Sequence, residues 1–107
     1  MKTKLTFLLS LTFLFLFSGS SVVFGDDLQD GLEAVQKKDY KTAYKLWLPL
    51  AEQGHAKAQS NLGKMYLKGE GVPHDYKEAV KWWKLAAEQQ DEQAQFILER
   101  MHGNSSN

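Results

Sequence analysis

The strongest constraint on this chain is that it repeats itself. Residues 39–66 align with residues 75–102 at a spacing of 36, without a gap, and 13 of the 28 aligned positions are identical. Asp39-Tyr40-Lys41 returns as Asp75-Tyr76-Lys77, Trp47 as Trp83, Ala51-Glu52-Gln53 as Ala87-Glu88-Gln89, and Leu62 and Met65 as Leu98 and Met101. A repeat of this length is one supersecondary unit. It does not bury its apolar face alone, so it stacks on its neighbours.

The unit reads as two helices, because apolar residues recur at spacings of three and four in each half. One stripe is Ala79, Val80, Trp83, Ala86 and Ala87, with Trp82 on its flank. Another is Ala58, Leu62, Met65 and Tyr66, returning as Ala94, Ile97, Leu98 and Met101, and a further short stripe is Leu28, Leu32 and Val35. No stretch alternates with period two. The expectation is therefore an all-α chain of five helices, over 27–37, 40–53, 56–68, 76–90 and 92–102. Asp39, Asp75 and Asp91 stand where an N-cap carboxylate is wanted, and Glu78 completes a capping box with Asp75. Gly54 suits a left-handed C-cap, which Gln90 fills less well. Pro49 lies inside its helix and predicts a kink.

The first 25 residues have a different character. Lys2 and Lys4 precede an apolar run, Leu5–Phe17, and then small residues up to Gly25. This is the order of a cleavable export signal. The 13-residue run is short against the roughly 20 residues that cross a bilayer. We therefore expect a signal peptide over 1–25, cut after Gly25 or after Ser20. A domain over 26–102 and a flexible polar tail over 103–107 then follow, with the product exported, either periplasmic or secreted. Contact with a membrane comes only through the signal segment, should it stay uncleaved as an anchor. The chain has no cysteine, so the domain holds together by packing alone. Residues 26–107 hold 11 Lys+Arg and 13 Asp+Glu. That balance offers no basic stripe for nucleic acid and no polybasic patch for lipid.

Residues 51–76 carry a resemblance. Ala51 to Gln59, Leu62-Gly63 with Tyr66, the loop Gly69-Glu70-Gly71-Val72, and Asp75 with Ala79 and Trp82 resemble the pattern of the Sel-one-like repeat, a relative of the tetratricopeptide repeat. The resemblance covers Tyr40 to Met101. It implies a short right-handed α-solenoid of antiparallel helix pairs, a groove lined by the first helix of each pair, and a role as an exported adaptor or scaffold that binds another protein or a peptide. Ala58 and Gly63 are small where neighbouring helices come close, and Val72 seats the loop. Gly63 becomes Glu99 in the next repeat, which should stop a further repeat from stacking. With about two and a half pairs the stack is short, and a homodimer is one way to complete it.

Some relatives are described as penicillin-binding or β-lactam-hydrolysing, so a cell-wall or β-lactam-related hydrolase is the alternative. A serine enzyme of that type needs Ser three residues before Lys. Only Thr42 and Lys45 approach this spacing, and the repeat replaces Thr42 by Glu78. His55, His74 and His102 make no metal-ligand spacing. The Gly69-Glu70-Gly71 turn lacks the Gly-Lys-Ser/Thr ending of a phosphate loop. The reading is thus non-enzymatic, with no cofactor and no metal. The candidate partner-binding residues are those off the core stripes of the groove helices: Lys57, Ser60, Asn61, Lys64, Gln93, Phe96 and Arg100. Phe96 is either wedged against the preceding helix or an exposed contact point. Their mix of amide, cation and aromatic suits a partner with acidic character.

Overall fold

The computed structural model describes residues 26–105; the expected signal peptide lies outside them. The described residues are all helical, with no strand. Residues 26–36 form α1, followed by α2 (Tyr40–Glu52), α3 (Ala56–Lys68), α4 (Tyr76–Glu88) and α5 (Glu92–Ser105). None of these helices is long and apolar enough to cross a membrane.

Consecutive helices pack in order, α2 on α3, α3 on α4, and α4 on α5. Two contacts of one design fix the spacing. The Trp83 indole lies over Gly63, where any Cβ would overlap the ring, and its Nε1–H donates to the Ser60 carbonyl at 3.2 Å. The Trp47 indole lies over Gly31 in the same way and donates to the Leu28 carbonyl at 3.2 Å. In both cases the accepting carbonyl is three residues before the glycine. Two large rings thus lie flat on helix backbones, a close approach that only glycine permits. All three tryptophans are buried. Gln59 and Gln95 repeat a second device: each side-chain amide donates to a carbonyl of the preceding helix, Ala51 at 3.0 Å and Ala87 at 3.2 Å.

The helix ends are equally regular. Lys38, Gly54, Gly69 and Gln90 all take positive φ, between 63° and 97°. After each of them, the next amide donates back to the carbonyl five residues before it: Asp39 to Ala34, His55 to Leu50, Glu70 to Met65 and Asp91 to Ala86. This is the Schellman ending of a helix. Gln90 therefore reproduces the Gly54 turn in full, although left-handed backbone is costly for a residue with a Cβ. The three aspartate caps form, to Thr42 at 3.3 Å, Glu78 at 3.1 Å and Ala94 at 2.9 Å.

The structure departs from the sequence reading in three places. The capping box does not close, because the Asp75 amide donates to the Tyr66 carbonyl and Glu78 turns to Lys81. Leu32 is exposed rather than core, since α1 turns Gly31 and Ala34 inward to meet Trp47. The helix α5 continues through Gly103 to Ser105, into the segment expected to be a tail, because Gly103 does not take the left-handed conformation that ends the other helices.

Candidate functional site: a protein-binding surface on α3 and α5

The seven candidate residues fall on two helices. On α3, Lys57, Asn61, Lys64 and, one turn further, Lys68 follow one another at spacings of four, three and four. They form a single stripe, with Lys57 and Lys68 exposed and Asn61 and Lys64 half-buried. On α5, Gln93, Phe96 and Arg100 do the same, all exposed. Lys68 was missed by the sequence reading, although its spacing from Lys64 carries the signal.

Ser60 does not belong to the surface. It is fully buried, and its Oγ donates to Gln93 Oε1 at 3.5 Å. Ser60 and Gln93 therefore tie α3 to α5, while the Ser60 backbone holds Trp83. A residue off the apolar stripe is solvated only while no further helix packs there, and α4 packs there, with Trp83 bound to the Ser60 carbonyl. Phe96 is the repeat mate of Ser60, and among the described residues no helix follows α5 to cover it. It stays 59% exposed. The Arg100 guanidinium lies 5.7 Å from its ring centroid, a cation–π arrangement that holds both side chains.

The stripe is electrostatically strained in one direction. The pKa of Lys64 is held below its ordinary 10.5, first by burial and then by the neighbouring Lys68, with Lys57 adding to the effect. Asp91 opposes them. A carboxylate brought to this stripe would relieve the like-charge repulsion, and the half-buried ammonium would gain a partner it is preorganised to meet.

The remaining candidates take structural positions. His55 caps α3, its Nδ1 accepting the Ala58 amide at 3.4 Å. Gly71 lets the 69–72 loop pass close to the Tyr40 backbone, and Val72 packs on the core. Thr42 and Lys45 both lie exposed on the first turns of α2. Among the described residues, no group of His, Cys, Asp and Glu could hold a metal ion.

Stacked helix pairs with indole-on-glycine spacing define a helical-repeat protein. The chain belongs to the Sel1 repeat family: the family model matches residues 28–55 and 56–91. The first match is eight residues shorter than the second. The linker between α1 and α2 spans three residues, against seven between α3 and α4. No curated protein and no solved structure matches the chain. Sel1 repeats generally mediate protein–protein interaction.

Proposed function

We propose that this chain is an exported, non-enzymatic adaptor whose α3–α5 surface grips an acidic segment of another protein. The observation that carries the reading is the stripe Lys57–Asn61–Lys64–Lys68, continued on α5 by Arg100 held against Phe96. It is rigid, cationic, and carried on helices fixed by Trp83, Ser60 and Gln93. A site on packed helices holds its geometry before the partner arrives, so less binding energy goes into ordering it. The basic N-terminal end and apolar run of residues 1–25 support export.

The test is a capture experiment from the exported fraction of the native cell, with the wild-type chain beside a Lys57→Ala, Asn61→Ala, Lys64→Ala triple variant. One protein captured by the wild type and lost by the variant supports both the adaptor role and the surface. Equal capture by both, or none, removes the surface assignment.

A further inference from the structure

We propose that the open end of the helix stack, formed by α4 and α5, receives the α1 end of a second copy of this chain, head to tail. The open end has the form of an interior face. Its lining residues Val80, Leu98 and Met101 are the 36-residue mates of Tyr44, Leu62 and Met65. In the preceding repeat Leu62 and Met65 are buried with Trp82, delivered by the next helix, and Tyr44 packs against that core. Among the described residues no further helix covers this end, and a cavity of about 340 Å³ lies between Tyr76, Val80 and Lys84 on α4 and Leu98, Met101 and His102 on α5.

Charge selects the occupant. Lys77, Lys81 and Lys84 line the α4 side of this end. Lys81 is drawn to Glu78 at 3.1 Å and lies over the Trp82 ring, whereas Lys77 and Lys84 stand exposed. On α5, Glu99 adds one carboxylate, at the position that Gly63 holds in the repeat. Set against itself by a two-fold axis, this face would bring lysine against lysine. The complement lies at the other end of the same molecule. There α1 exposes Asp26, Asp30 and Glu33 along one stripe and Leu32, 41% exposed, on a separate face, with Lys37 and Lys38 only beyond its last turn. Opposite charge at the two ends of one chain makes a heterologous contact, which closes into a ring or runs on as a filament. Each end is small beside the roughly 800 Å² per partner of a stable interface, so the association is weak and concentration-dependent.

The experiment is sedimentation velocity of the full chain over a concentration series. It is run on the wild type, on Lys77→Glu/Lys84→Glu, on Asp30→Lys/Glu33→Lys, and on the two variants mixed. All four substitutions are at exposed positions, and helix content by circular dichroism checks each fold. The wild type is expected to associate, less so as salt rises. Each variant alone is expected to associate at least about tenfold more weakly, and the mixture, whose opposed ends again differ in charge, to recover. A wild type that stays monomeric overturns the proposal. So does association that both variants retain, as contact through residues 1–25 would give, and so does a mixture that fails to recover.

Discussion

Three tryptophans of equal bulk sit in this small core, and they are not equivalent. Trp47 and Trp83 each donate an indole N–H to a helix carbonyl and each cover a glycine. Trp82 is just as buried, yet its Nε1–H has no partner. A buried donor without an acceptor costs roughly 1–3 kcal/mol. Trp83→Phe removes a hydrogen bond and opens a gap above Gly63, a loss of about 2–4 kcal/mol. Trp82→Phe removes the same volume but also the unsatisfied donor, so its loss is smaller by about 1 kcal/mol or more. Urea melts of the two variants check the order, and equal losses would contradict it. Tyr66 supplies a second residue-scale prediction. Its pKa is held well above the ordinary 10.0, first by burial and then by its bond with the Tyr44 hydroxyl at 2.8 Å. The folded state thus favours the neutral phenol. The stabilisation is complete below pH 10, and it declines as pH rises from there toward the folded-state pKa. Urea midpoints measured at rising alkaline pH should fall in the wild type, and fall less steeply in Tyr66→Phe.

At the scale of the element, the turns carry the clearest strain. Lys38 and Gln90 make the same Schellman ending as Gly54, but with a Cβ at positive φ. Gln90→Gly should therefore stabilise the protein by about 0.5–1 kcal/mol, after the greater freedom that glycine gives the unfolded chain is subtracted. A rise in thermal midpoint is the expected reading, and a fall would mean that the Gln90 side chain holds the turn itself. The helices, their aspartate caps and the burial of all three tryptophans were legible in the sequence, because periodicity and cap chemistry are local. The packing of α1 was not. Gly31 is the partner of Gly63, but the shorter linker places it 32 residues earlier rather than 36, so a fixed-period alignment passes over it. Leu32 accordingly seemed part of the stripe that Gly31 and Ala34 in fact form.

At the scale of the whole molecule, the surface was legible as a stripe but not as an address. Lys57, Asn61, Lys64, Gln93, Phe96 and Arg100 are at least partly exposed, as residues off the core stripes should be. Ser60 follows the same periodicity and is buried, because which side of α3 meets α4 and its Trp83 is a property of the stack and not of either helix. For the same reason Phe96, the mate of a buried serine, stays exposed, with no helix packed over it among the described residues. A partner bound at the α3–α5 surface is seen most directly by amide shift mapping. The captured partner is titrated into the ¹⁵N-labelled chain. The largest changes are expected at Lys57, Asn61, Lys64, Lys68 and Arg100, weakening as salt rises. Changes confined to the outer face of α2, around Thr42 and Lys45, or absent along α3, would contradict this expectation.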